Sequence, residues 1–140
     1  MNVEVPMIAT DPQQSAGRAL KRLLANGPLT AVPKRPSDQQ LLVALAAAQF
    51  TPDRTYREAE VNETLRQWLL TFCDPHGIDH VTLRRMLVDS RLLSRTTSGS
   101  TYRLDEARLG EAQAMGALDP AQILAEIRGE RASRKSSHPR

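Results

Sequence analysis

A chain of 140 residues falls in the size range of one domain and can bury a core that folds without disulfides or metal. Its 40% hydrophobic and 25% charged fractions exclude wholesale disorder, and an aromatic fraction of 4% points to a core of Leu, Ala and Val. A net charge of +3 is a weak bias toward polyanions, no apolar run approaches the roughly 20 residues of a membrane span, and the single cysteine, Cys73, excludes an internal disulfide.

The N-terminus lacks the basic-then-apolar order of a secretory signal, so the expected location is the cytoplasm, where a lone thiol stays reduced. The first dozen residues, through Asp11-Pro12, carry no sustained period and read as a mobile lead-in. From Ser15, Ala16, Leu20, Leu23 and Leu24 recur at helical spacing with Arg18, Lys21 and Arg22 on the other side, until Asn26-Gly27-Pro28 stops the helix. Leu29 to Pro36 reads as a linker because it holds two prolines and no period.

Ser37 or Asp38 is then expected to cap an apolar helix carrying Leu41, Leu42, Leu45, Ala46 and Ala48 and ending near Phe50-Thr51-Pro52. Asp53 to Tyr56 reads as a turn and a short extended piece, with Thr55 and Glu58 at the spacing of a capping box. Val61, Leu65, Trp68, Leu69 and Phe72 mark one face of the next helix, which Asp74-Pro75-His76-Gly77 breaks. Asp79 is placed to cap a third helix over His80–Ser90, with Leu83, Met86 and Leu87 inward and Thr82, Arg85 and Asp89 on the opposite side.

Leu92–Arg95 and Thr101–Leu104 read as two strands joined by Thr96-Thr97-Ser98-Gly99-Ser100, with Gly99 available for a positive φ. Three helices followed by a hairpin is the winged-helix order, a helix-turn-helix variant, here over residues 36–104. Beyond it, Asp105 starts a helical stretch through Met115, and Asp119-Pro120 opens a last helix with Ile123, Leu124 and Ile127. Residues 129–140, Arg-rich with interspersed serines, read as a disordered basic tail. The fold class is therefore mainly α with a small β-hairpin: a winged helix with extra helices at both ends.

The blocks Phe50-Thr-Pro-Asp-Arg-Thr-Tyr56, Glu60-Val61-Asn62, Thr82-Leu83-Arg84-Arg85-x-Leu87-Val88-Asp89, Leu93-x-Arg95 and Gly99-Ser100-x-Tyr102 resemble the bacterial family known as domain of unknown function 2087. The resemblance covers about residues 33–104. It implies a winged-helix-like domain, found in hypothetical prokaryotic proteins and in some transcriptional regulators, with no established activity. Arg57 stands where that family tends to place Thr or Ser, and the loop from Phe72 to Ile78 is longer than its pattern.

The third helix and the hairpin hold Arg84, Arg85, Arg91, Arg95 and Arg103 against Asp89, in elements that winged helices present to DNA. The residues read as touching nucleic acid are Thr82, Arg84, Arg85, Arg95, Ser98 and Arg103. Arg85 suits a guanine edge, and the wing arginines and hydroxyls suit phosphates. Against this, Asp89 lies one turn from Arg85 and can pair with it, and Arg84 falls toward the core edge.

Cys73, His76 and His80, with Asp74 and Asp79, include zinc-type donors but no second Cys or His cluster to close a tetrahedron, so helix caps and a partly buried thiol are the reading and no metal or cofactor is expected. No phosphate loop, metalloprotease helix or nucleophile elbow is present, so no enzyme is expected either. Trp68 falls on an apolar stripe and reads as core, and Tyr102 as a brace for the wing. Two functions remain: a DNA-binding module of a transcriptional regulator, or a protein-interaction module that meets a partner or a second copy through the flanking amphipathic helices. Neither involves a membrane.

Overall fold

The structure, a computed structural model, describes residues 12–98 and 101–137. The expectations for residues 1–11, for Gly99 and Ser100, and for residues 138–140 lie outside the described residues. Spacing by four puts Ala16, Leu20 and Leu24 on one stripe of helix α1 (Pro12–Leu23) and its last turn, and all three are buried while Arg18, Lys21 and Arg22 stay exposed. Asn26 and Gly27 then turn the chain, with Gly27 at φ +118°, a value that a side chain opposes.

Helix α2 (Pro36–Ala47) begins two or three residues earlier than the caps expected from Ser37 or Asp38. Arg35 is the N-cap and Pro36 occupies the first helical position, where its missing N–H costs nothing. Asp38 has another partner: its carboxylate, 5% exposed, receives the Arg22 guanidinium at 2.7 Å and ties α1 to α2. The segment between these helices is anchored too. The Leu29 N–H donates to Phe72 O at 3.1 Å and Leu29 O accepts from the Asp74 N–H at 2.8 Å, a parallel bridge with Cys73. Gly77 sits so close to this bridge that a Cβ would lie 2.9 Å from Leu29 O, so the loop from Phe72 to Ile78 needs glycine there.

The extended piece before the next helix is a strand, β1 (Tyr56–Arg57), and it moves the expected helix start. Because Tyr56 and Arg57 pair with a later strand, helix α3 (Glu58–Leu70) begins two residues beyond the Thr55–Glu58 box. Glu60 does the capping, accepting the Arg57 N–H at 2.8 Å. Val61, Leu65, Trp68 and Leu69 form the buried stripe of α3, and Trp68 meets Phe72 edge-on at 4.7 Å between ring centroids.

Helix α4 (His80–Asp89) buries Leu83 and Leu87 completely. Asp79 is its N-cap residue, but its side chain bonds no backbone N–H; it accepts from the Thr82 hydroxyl at 3.4 Å. The helix ends in a Schellman turn: the Arg91 N–H donates to Val88 O, the Leu92 N–H donates to Leu87 O, and Leu92 is buried. Arg91 takes φ +62° at the position that most often holds glycine.

Strands β2 (Leu93–Arg95) and β3 (Thr101–Leu104) form the expected hairpin, with Arg95 opposite Tyr102 and Ser94 opposite Arg103. The sheet has three strands rather than two, in the order β1-β3-β2, all antiparallel neighbours, with Tyr56 opposite Tyr102. After it, Asp105 accepts the Ala107 N–H at 2.9 Å and caps a 3-10 turn, Glu106–Arg108, that leads into the short α5 (Leu109–Ala114).

Helix α6 (Pro120–Ser137) starts at the cap read from Asp119-Pro120, and Asp119 accepts the Ala121 N–H at 3.0 Å. Its length corrects the disordered tail expected from residue 129, because the helix continues to Ser137. Arg, Lys, Ala and Glu in this stretch are good helix formers, and Arg131 hydrogen-bonds to Ala25 O at the end of α1. Ile123 and Leu124 of α6, Ala112 of α5 with Met115 just past its end, and the stripe of α1 all join one buried core with α2, α3, α4 and the sheet. Each buried Leu or Ile contributes about 1.5–3 kcal/mol, so the flanks hold the domain rather than hang from it.

Candidate nucleic-acid interface

The outer ridge of α4 follows from its inner one. With Leu83 and Leu87 turned into the core, Thr82, Arg85 and Asp89 stand exposed at i, i+3 and i+7. Among the described residues Arg85 makes no ion pair, so the pairing with Asp89 that helical spacing permits is not formed. Thr82 lies at the opposite end of the ridge, with its hydroxyl on Asp79.

Arg84, one residue from Arg85, is only partly exposed and reaches inward, where it donates to the Asn62 amide oxygen of α3 and stands 6.0 Å from the centre of the Tyr102 ring. Arg95 comes to the same ring at 6.0 Å from β2. Tyr102 is 1% exposed, and its hydroxyl donates to Glu58 at 2.9 Å. Burial, and then this bond to a carboxylate, hold its phenol above the ordinary tyrosine range, so it stays a neutral donor. Glu58, Arg84, Arg85, Asp89, Arg95 and Tyr102, with Val88, surround a cavity of about 400 Å3 between α4 and the hairpin.

Arg103 is not part of this group. Side chains alternate along β3, so Tyr102 and Leu104 are buried while Arg103 points to the other face, where its guanidinium is 3.7 Å from Asp53. Ser98 lies in the hairpin loop with its hydroxyl 3.1 Å from that of Thr96, which also accepts from the Thr101 hydroxyl at 3.0 Å. Of the six residues read as touching nucleic acid, the fold brings Arg84, Arg85 and Arg95 together; Thr82 and Ser98 lie at the ends of that region, and Arg103 lies across the sheet.

Two contributors to this seam between α4 and the hairpin were not among those six. Asn62 carries the anchor for Arg84, and Glu58 holds Tyr102. Asn62 stands in one of the sequence blocks quoted above, which was the available signal; Glu58 stands in none, and its partner is 44 positions away.

The other candidate chemistry disperses. Cys73 is buried, its thiol pushed up to about 12 by desolvation, whereas His76 and His80 line a surface cavity that does not include it. Among the described residues no group of three or more His, Cys, Asp or Glu could hold a metal ion, and no helix is long and apolar enough to cross a membrane.

No curated protein and no solved structure is similar enough to this chain to match it. A family model does match, over residues 28–104, starting five residues before the resemblance read from the blocks and so taking in Leu29, whose backbone bridges to Cys73. That match spans more than half of the sequence, and the chain belongs to the family described as an uncharacterized protein conserved in bacteria, DUF2087.

Proposed function

We propose that this domain is a winged-helix DNA-binding module of a transcriptional regulator, acting by binding without catalysis. In this reading α3 and α4 are the helix-turn-helix pair, β2 and β3 are the wing, and α4 enters the major groove. The observation that carries it is the grouping of Arg84, Arg85 and Arg95 where α4 meets the hairpin, beside the exposed hydroxyls of Thr82 and Ser98. Arg85 extends from the ridge as a base-edge or phosphate donor, and Arg95 and the hairpin hydroxyls serve as phosphate donors. Arg103, engaged with Asp53, drops out of the contact set, and Asp89 repels phosphate from its end of the ridge.

The test is the anisotropy of a labelled duplex titrated with protein across a range of salt. Affinity falls steeply as salt rises, and the double variant Arg85→Ala with Arg95→Ala binds at least about tenfold more weakly while its thermal melt is unchanged. A panel of genomic duplexes on which no salt-sensitive binding occurs at any concentration overturns the reading.

A second reading, self-association or protein interaction, is favoured by one feature. A groove of about 610 Å3 between α1, α2 and the chain around α5 is lined by Ala16, Ala19, Leu41, Ala44 and Met115. Burial of the remaining apolar stripes of α1 and α6 confines this reading to that groove. Light scattering that reads a monomer at high concentration, together with unchanged mass for Leu41→Glu, removes self-association.

A further inference from the structure

The cavity between α4 and the hairpin is built differently from an ordinary solvated charge cluster. Adjacent residues on a helix diverge by about 100°, so Arg84 and Arg85 converge on one cavity only because Arg84 is bent inward and fixed. What fixes it is neutral: an amide oxygen of Asn62 and the face of Tyr102. Its charge is therefore positioned without being cancelled. Glu58, the nearer of the two lining carboxylates to the ring, is occupied by the Tyr102 hydroxyl, and Asp89 makes no ion pair with Arg85. Arg84, Arg85 and Arg95 line the cavity together with Glu58 and Asp89, and about 400 Å3 is within the range of small-ligand sites. A planar guanidinium suits the oxygens of a phosphate, which it can meet with two parallel hydrogen bonds, and Arg84 is already held in one direction.

We propose that this cavity is a seat for one phosphate group, received by Arg84, Arg85 and Arg95, and, resting on the DNA-binding reading above, that the group is a backbone phosphate of the bound duplex. Arg84 is the decisive residue, because its inward guanidinium, fixed by Asn62, is what separates a built seat from an exposed ridge of arginines. Phosphate chemistry has a second source, a free phosphorylated small molecule, and the experiment separates the two.

The full chain is titrated in parallel with inorganic pyrophosphate, followed by the NMR shifts of the arginine Nε–H groups, and with labelled duplex across salt, for the natural protein, Arg84→Gln and Arg84→Lys. The expected result is shifts confined to Arg84, Arg85 and Arg95, and, for Arg84→Gln, duplex binding about tenfold weaker with a salt slope shallower by about 0.9, partly rescued by Arg84→Lys. The pyrophosphate arm needs no variant, so a folding defect in Arg84→Gln leaves the outcome decided. Duplex binding whose strength and slope ignore both substitutions, with no pyrophosphate shifts at the cavity, overturns the seat and leaves the DNA-binding reading standing. Pyrophosphate binding at the three arginines with no duplex binding keeps the seat, assigns it to a free phosphorylated molecule and sinks the DNA-binding reading.

Discussion

Two places in this small domain use arginine in opposite ways. Where α1 meets α2, Arg22 lays its guanidinium against the buried carboxylate of Asp38 at 2.7 Å, and the charge is cancelled on the spot. Where α4 meets the hairpin, Arg84 is held instead by an amide oxygen and stands beside a ring face, neither of which cancels its charge. Burial makes an unpaired carboxylate costly, so the first junction is a fastening whose parts satisfy each other. The second is a fastening that leaves one requirement open, and an open positive requirement at a cavity is what an anion answers. A count of arginines cannot separate the two uses; the identity of the partner does.

The comparison can be broken at either end. Its largest lever is Leu20→Ala in α1, a side chain 2% exposed: a loss of about 2–5 kcal/mol in denaturant unfolding is expected, with a single transition, and a loss near zero would mean that α1 is not part of the cooperative core. Next is Arg22→Ala, which strands Asp38. Its melting temperature should fall by less than that of Leu20→Ala, and Asp38→Asn in the same background should recover part of the fall, because the uncancelled charge is then gone.

At the seam, Arg84→Ala should cost about 1–2 kcal/mol through the abandoned Asn62 amide, whereas Arg85→Ala should stay within about 0.5 kcal/mol; equal losses would erase the distinction between a positioned and a free guanidinium. The smallest effect is one of pH. Glu60 is held below the ordinary glutamate range, first by the Arg57 N–H and then by the nearby charges of Arg54 and Arg57. A lowered native value adds stability that is complete above the unfolded-state value and is lost as pH falls through the native one. Melting curves of Glu60→Gln and the natural protein should therefore differ at neutral pH and converge in acid, and a constant gap would show that the carboxylate charge is not what caps α3.

Much of the seam was legible in the blocks of sequence that carry the family resemblance, because helical spacing already put Leu83 and Leu87 inside and Arg85 outside. Arg84 was legible as a core-edge residue for the same reason. Arg103 was not, since its direction depends on which β3 side chains the helices bury, and alternation places it with Asp53 only once Tyr102 is known to face inward. The start of α3 was missed through a contact distant in sequence: Tyr56 and Arg57 are drawn into pairing with Tyr102 and Thr101, so the capping box at Thr55 is bypassed. The continuation of α6 was missed because composition alone rates an arginine- and serine-rich end as unable to bury a face, while in the fold Arg131 finds the end of α1.

By itself the sequence determined that these helices and the hairpin form and in what order, since each rests on local spacing and turn residues that act within a few positions. Tertiary structure alone decided which charges are spent. Asp38 with Arg22, Arg84 with Asn62, and Tyr102 with Glu58 lie 16, 22 and 44 positions apart, and pairs so distant are set by how the elements pack rather than by any period in the chain.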